Sequence, residues 1–255
     1  MPAATPARTL AFATLADLFS MLCPQGAEAG RPMITDDARI LDPKACQVET
    51  WTRVNRDSTE YWLMPACNPF GPFELGYGSA RTHEDGRGSA LTENIVQLKT
   101  VVKPLQANGW GWGISLGTDR HLRREAGNGW PGDVYLNFPV TLSFRDDEVV
   151  MLVNAGAVNR RDLQKTIGTW GLGSEIRVGE DLYFLPETFG NDRGRPFYQL
   201  GLRYWIVKDW LEIDGALGNR LGGDTSERWF TIGLHAQWPP FSPAPGGPGS
   251  RAGNP

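Results

Sequence analysis

Ionisable side chains recur at alternate positions in the last third of the chain, where successive period-two stretches place them on one face. Around a tight turn at 207–208, Arg203 is predicted to lie opposite Glu212, and Gly201 opposite Asp214. Six polar or charged residues are predicted to share this face: Glu187, Gln199, Arg203, Glu212, Asp214 and His235. Such a set could form a polar constriction that selects solutes, or an ion-pair network that fills and ties an interior. The sequence leaves both interpretations open.

Metal, cofactor and catalytic chemistry are not indicated by the remaining residues. The histidines are His83, His121 and His235, and none has metal-ligand spacing to another His, Cys or carboxylate. No local signature marks a catalytic nucleophile. The glycines of 109–117 open no helix, so they cannot form a dinucleotide-binding turn, and we interpret them as small inward positions that leave room in the interior. We therefore expect no metal, no cofactor and no enzymatic activity.

Composition excludes several classes of protein. The 255 residues include 31 Gly and 19 Pro, about a fifth of the chain, which argues against a long helical bundle. The 10 Trp, 6 Tyr and 11 Phe are too many for a disordered chain. A net charge of −4 offers no basic field for phosphates, so nucleic acid is not an expected partner. No apolar run is long enough for a membrane-spanning helix.

Alternation with period two is the dominant pattern, and it predicts β-strands. In 110–117 the larger side chains, such as Trp110, Trp112 and Leu116, alternate with Gly and Ser, a pattern that no helix produces. The same criterion predicts about twelve strands. They cover 45–54, 59–67, 72–79, 90–102, 109–117, 133–144, 149–158, 166–177, 182–189, 196–206, 210–217 and 228–238.

The number and length of these strands favour a closed antiparallel up-and-down transmembrane β-barrel, since an even count suits a single-chain barrel and the strands are long enough to cross at a tilt. The connections at 80–89, 118–132 and 159–165 are longer and richer in charge than those at 145–148 and 178–181. Long loops at one rim and short turns at the other are typical of outer-membrane barrels. A soluble sandwich or a lipocalin-like barrel would also alternate, so these alternatives stay open.

In a membrane barrel, the six residues of the polar face should line the lumen, because a charge facing lipid near the midplane costs about 2 to 4 kcal/mol. Residues 1–29 are predicted to be a secretory signal peptide, 30–238 the barrel, and 239–255 a disordered Pro/Gly-rich tail. The stretch 231–238 resembles the C-terminal strand signal of outer-membrane barrels. Barrel-assembly machinery and outer-membrane lipids are therefore expected partners.

Two cysteines of the predicted mature chain, Cys46 and Cys67, are placed to form a disulfide. If the first hairpin turns about 55–58, the residue directly opposite Cys46 is Cys67. Facing positions on antiparallel strands have Cβ atoms roughly 4.5 to 5.5 Å apart, which a small adjustment brings into bonding range. An oxidising compartment outside the cytoplasm suits such a bond, and we expect its role to be structural.

Several segments resemble the bacterial phenol meta-pathway outer-membrane β-barrel family. They are Thr35–Ala38, Lys44–Glu49, Leu185–Gly190, Gln199–Tyr204, Leu211–Asp214, Gly222–Gly223 and Thr231–Gly233. The resemblance implies an outer-membrane barrel of transporter type for small organic molecules, many of them apolar, in a Gram-negative bacterium. We therefore expect a channel or transporter with a partly obstructed lumen. The alternatives are a structural or adhesion barrel that acts through its extracellular loops, and an outer-membrane lipid-modifying enzyme.

Overall fold

The computed structural model describes residues 33–122, 131–223 and 227–238. Within these residues twelve antiparallel strands follow one another around a closed barrel, and the last strand pairs with the first. The strands are β1 Cys46–Val54, β2 Ser58–Cys67, β3 Glu74–Glu84, β4 Gly88–Lys103, β5 Trp110–His121, β6 Asp133–Phe144, β7 Val149–Arg160, β8 Lys165–Arg177, β9 Leu182–Asn191, β10 Phe197–Val207, β11 Leu211–Arg220 and β12 Trp229–Trp238. The predicted fold class, a closed up-and-down barrel of about twelve strands, is confirmed.

The two faces of each strand differ as the alternation predicts. In β5, Ser115 is buried whereas Trp110 and Leu116 are exposed. In β10, Leu202 is about half exposed, while Arg203 beside it is buried. Apolar side chains therefore form an outer belt suited to hydrocarbon, and polar side chains turn inward.

Two rims are distinguished by the first and last strands. The terminal rim carries Cys46 and Trp238, which are paired, and the loop rim carries Val54 and Phe230, which are also paired. The predicted signal peptide, 1–29, and the predicted tail, 239–255, lie outside the described residues. Among the described residues, no helix has the length and apolarity needed to cross a bilayer.

The predicted contrast between long and short connections is wrong for two hairpins. Strand pairing in β3 and β4 continues to Glu84 and Gly88, so the predicted loop 80–89 is reduced to a turn at 85–87. Likewise β7 and β8 extend to Arg160 and Lys165. In the extended part of β3, Thr82 faces inward and is buried, whereas the outward Arg81 and His83 are polar and exposed, so the outer face there carries no apolar residue to mark a strand. The predicted loops 80–89 and 159–165 were therefore inferred from polar sequence, although much of the backbone there is paired in strands.

The first hairpin has the predicted register. Cys46 lies directly opposite Cys67, and the two sulfurs are bonded. The disulfide closes the base of the hairpin at the terminal rim. The prediction from register alone is thus confirmed.

The predicted register between β10 and β11 is wrong by two residues. Arg203 lies opposite Asp214, and Gly201 lies opposite Ala216, because the turn spans 208–210 and an irregularity interrupts the pairing after Trp205. Asp209 in this turn has a positive φ of 58°. A shift of two residues preserves which face each side chain occupies. The charged side chains therefore still point into the barrel.

Candidate functional site: a lumen obstructed by the segment before the first strand

Residues 33–45, here called the inner segment, precede β1; the part 33–41 lies inside the barrel, and 42–44 are exposed at the terminal rim. The side chains of Thr35, Asp37 and Leu41 are buried. Met33 packs in an apolar cluster with Val150, Leu152 and Leu185, whose side chains also point inward. The inner segment therefore fills part of the lumen, a position that no pattern in the sequence predicted for these residues.

The deepest anchor of the inner segment is the carboxylate of Glu187 on β9. The backbone N–H of Ile34 donates to Oε1 and Oε2 at 2.9 and 3.0 Å, and that of Thr35 donates to Oε2 at 2.9 Å. The Thr35 hydroxyl donates to the same Oε2 at 2.9 Å. Gln199 Nε2 of the neighbouring strand donates to Oε1 at 3.1 Å. Glu187 is thus a clamp on the inner segment.

A second anchor joins two adjacent aspartates of the inner segment to β4 and β5. Lys99 Nζ donates to Asp36 Oδ1 at 2.7 Å and to Asp37 Oδ1 at 2.8 Å, and Ser115 Oγ donates to Asp36 Oδ2 at 2.8 Å. Asn154 on β7 accepts from the backbone N–H of Asp36 at 2.8 Å and donates to its carbonyl at 2.7 Å. These contacts pair buried charges and satisfy the backbone of an irregular segment inside the barrel.

The last part of the inner segment is held close to the terminal rim. The N–H of Ala38 donates to Thr141 Oγ1 at 2.8 Å, and the N–H of Leu41 donates to Glu74 Oε2 at 2.9 Å. Asn68 Nδ2 donates to the Leu41 carbonyl at 2.6 Å. Wall residues from β3 to β9 thus contact one short segment, so docking it requires the closed barrel.

A network of buried charges lies beside the inner segment and contains four of the six predicted site residues. Arg203 NH1 lies 2.8 Å from Glu175 Oε1, and Arg203 Nε lies 3.2 Å from Glu212 Oε1. His235 Nδ1 also lies 3.2 Å from Glu212 Oε1. Asp214 is buried directly opposite Arg203. The network joins β8, β10, β11 and β12, and Glu175 also meets Arg39 of the inner segment at 3.4 Å.

A cavity of about 680 Å³ lies inside the barrel beside the inner segment and is here called the vestibule. It extends from Arg53 and Trp229, in the half nearer the loop rim, to Gln47 and Glu74 near the terminal rim. The side chain of Ile34 and its neighbours in the inner segment form part of its lining. Of the six predicted site residues, Gln199 lines the vestibule, whereas the other five are buried outside its lining.

Aromatic rings cover one side of the vestibule, a feature that the sequence analysis missed. Trp51 and Trp62 are stacked with ring centres 5.1 Å apart. Phe197 lies 5.6 Å from Phe189 and 5.8 Å from Trp229. Alternation within single strands gave no sign that neighbouring strands bring these rings together. The vestibule therefore combines aromatic and polar walls, as small-molecule sites commonly do.

The glycines of β5 do not leave open room, contrary to the prediction. A Cβ placed on Gly111 would lie 2.6 Å from the backbone nitrogen of Leu105, and one on Gly113 would lie 2.6 Å from the Thr100 carbonyl oxygen. A Cβ on Gly117 would overlap the ring of Tyr135. These positions are glycine because neighbouring backbone and a tyrosine ring already fill the space.

Three ligand-type side chains meet near the loop rim although their spacing in the sequence gave no sign of it. Candidate ligand atoms of Glu93, Asp119 and His121 lie within 4.8 Å of one another. Strand pairing causes this, since Glu93 faces His121 across β4 and β5. His121 Nδ1 lies 2.5 Å from Glu93, and its Nε2 lies 3.4 Å from Asp133, which is itself paired with Arg160 at 2.7 Å. The residue types could hold a divalent cation, and the same contacts also form an ion-pair cluster.

Comparison with known families assigns the chain. The model of a family described as uncharacterised conserved protein UCP029691 matches residues 17–238. The chain belongs to that family. The match spans the inner segment and all twelve strands, so membership of the UCP029691 family rests on the whole barrel. No curated protein matches it.

Three solved structures with a similar fold are outer-membrane channels. The KdgM porin is 10% identical with a TM-score of 0.54, covering 74% of this chain and 98% of its own. The NanC porin is 10% identical with a TM-score of 0.52, covering 75% and 98%. The COG4313 outer membrane channel from Pseudomonas putida F1 is 9% identical with a TM-score of 0.57, covering 83% and 100%. At these identities the likeness shows the fold alone, which is that of Gram-negative outer-membrane barrels.

Proposed function

We propose that this protein is a passive outer-membrane channel for small organic solutes, in which the inner segment controls the width of the pathway. One observation carries the proposal: a lumen with a sizeable vestibule is obstructed by a segment held through hydrogen bonds and ion pairs to the wall. These contacts are non-covalent and none of them pairs one strand with another, so release of the segment in this proposal leaves the pairing of the twelve strands intact.

The terminal rim faces the periplasm in this proposal and the loop rim faces the outside, because both ends of a barrel chain commonly lie on the periplasmic side. Outer-membrane lipids contact the apolar belt, and barrel-assembly machinery inserts the chain. The resemblance to the phenol meta-pathway family and the aromatic wall of the vestibule both support an organic solute. The buried network around Arg203 ties the wall beside the inner segment instead of contacting solute in the vestibule.

An engineered disulfide tests whether the inner segment must move. A Cβ built on Gly171 lies 3.4 Å from the Cβ of Thr35, close to the separation in disulfides. In the Thr35→Cys/Gly171→Cys variant, oxidation should hold the segment against β8 and lower the conductance of planar bilayers, and reduction should restore it.

The controls for this experiment are the two single variants and the parental protein, because reductant also reaches the Cys46–Cys67 bond. Conductance that is equal before and after reduction of the engineered bond would show that the inner segment is not the gate. Absence of any conductance in the reduced variant and in the parental protein would refute a channel altogether.

A further inference from the structure

Three of the wall groups that hold the inner segment are carboxylates, and the segment supplies donors to them, whereas Lys99 donates to Asp36 and Asp37 of the segment. Glu187 receives two backbone N–H groups and one hydroxyl, and Glu74 receives the N–H of Leu41. Glu175 lies 3.4 Å from the guanidinium of Arg39. When the inner segment leaves, these three carboxylates lose the donors that it provided. A solute that enters the same space gains by presenting N–H donors or positive charge to them.

The charge of the surrounding wall favours the same kind of solute. Among the described residues of the wall near the terminal rim, six carboxylates are buried: Glu49, Glu74, Glu175, Glu187, Glu212 and Asp214. Among the same described residues, Lys99 and Arg203 are the buried permanent cations, so carboxylates outnumber permanent cations by six to two, with His235 as the remaining titratable group. Charges in a narrow lumen with low-dielectric walls act strongly on ions within it, and rings of acidic side chains select cations.

The vestibule adds binding surfaces for a cation with an apolar part. The guanidinium of Arg53 lies 4.5 Å from the ring centre of Trp229, and that of Arg220 lies 4.3 Å from the ring centre of Phe197. These ring faces accept cations, and a solute cation binds to them in exchange with Arg53 or Arg220. Glu49 and Glu74 line the same cavity, whose volume of about 680 Å³ suits a small organic molecule.

We infer that the lumen takes organic cations, such as ammonium or guanidinium compounds, which bind at Glu74 and Glu187 in place of the N–H groups of the inner segment. This inference rests on the proposed channel function. It assigns the substrate class, and it excludes anionic solutes of the same size. It also makes the solute a competitor of the inner segment, so that a cation favours its own passage by displacing the obstruction.

The first test measures charge selectivity in planar bilayers. Under a KCl gradient, the reversal potential should show K⁺ passing at least about tenfold better than Cl⁻, as an acidic lumen requires. The Glu74→Gln variant should reduce that ratio. Glu148→Gln, which neutralises a half-exposed carboxylate in a turn at the terminal rim, is the matched control and should leave it unchanged. A channel that conducts but prefers Cl⁻, or shows no preference, would overturn the inference.

The second test uses three probes of similar size and shape: benzylammonium, benzyl alcohol and benzoate. Benzylammonium should slow formation of the Thr35→Cys/Gly171→Cys disulfide, because it competes with the docked segment, whereas benzyl alcohol and benzoate should not. Equal cross-linking rates with all three probes would overturn the inference. Since cross-linking needs no transport, this outcome is distinct from a lack of conductance, which would instead refute the proposed channel.

Discussion

Replacing Glu187 with Gln should weaken the docking of the inner segment while leaving the barrel intact. The Glu187 carboxylate accepts hydrogen bonds from the N–H groups of Ile34 and Thr35 at 2.9 to 3.0 Å, and it is buried. Glutamine keeps the side-chain size but removes the charge and replaces one acceptor oxygen with a donor that faces these N–H groups.

The expected loss follows from the energies of such contacts. Hydrogen bonds to a charged group contribute about 1.5 to 3 kcal/mol each. Losing the equivalent of one of them should shift the equilibrium between docked and released segment by about 10- to 150-fold. The remaining anchors at Lys99 and Glu74 prevent a complete release.

Hydrogen–deuterium exchange of the detergent-solubilised protein measures this shift directly. Peptides covering 33–45 should exchange faster in the Glu187→Gln variant by up to the same factor, while strand peptides stay protected. Glu60→Gln is the control, because Glu60 is bonded to Asn55 and Trp62 near the loop rim. Unchanged exchange at 33–45 would refute the assigned role of Glu187, and faster exchange throughout the barrel would point to general destabilisation instead.

Three further changes test the fold. Replacing both Cys46 and Cys67 with Ser should lower the free energy of unfolding by about 3 kcal/mol, the expected value for a bridge across 21 residues. Denaturant titration measures this loss, and the circular dichroism spectrum of the barrel should be retained. Leu202→Arg on the outer face should cost about 2 to 4 kcal/mol in lipid, whereas Leu202→Ala should cost less; an equal cost would contradict the lipid-facing assignment. Gly117→Val should destabilise the barrel by about 1 to 3 kcal/mol through overlap with the Tyr135 ring, and Tyr135→Ser should restore most of that loss; failure of the rescue would place the strain elsewhere.

Local patterns predicted the strands because strand periodicity is a local property. In 110–117, large and small side chains alternate because successive residues of a strand point to opposite faces, and this holds whatever the rest of the chain does. The pairing of Cys46 with Cys67 could be predicted for a similar reason, since a short turn sets the register of a single hairpin. The inward position of Arg203 followed from alternation alone, even though its partner across the strands did not.

The contents of the lumen could not be predicted in this way. The inner segment has no periodic pattern, and its anchor at Glu187 is 152 residues from Thr35 in the chain. That contact exists only when β9 closes the wall around the segment. The register of Arg203 depended on an irregularity within its strand, and the cluster at His121 depended on pairing between separate strands.

The amino-acid sequence by itself determined that this chain forms strands with one apolar face, because the polarity of each residue favours either the outer face or the lumen. Only the tertiary structure decided what occupies the interior. Closing twelve strands into a barrel brings side chains from many distant strands onto one short segment, and those contacts have no counterpart in any local stretch of the chain.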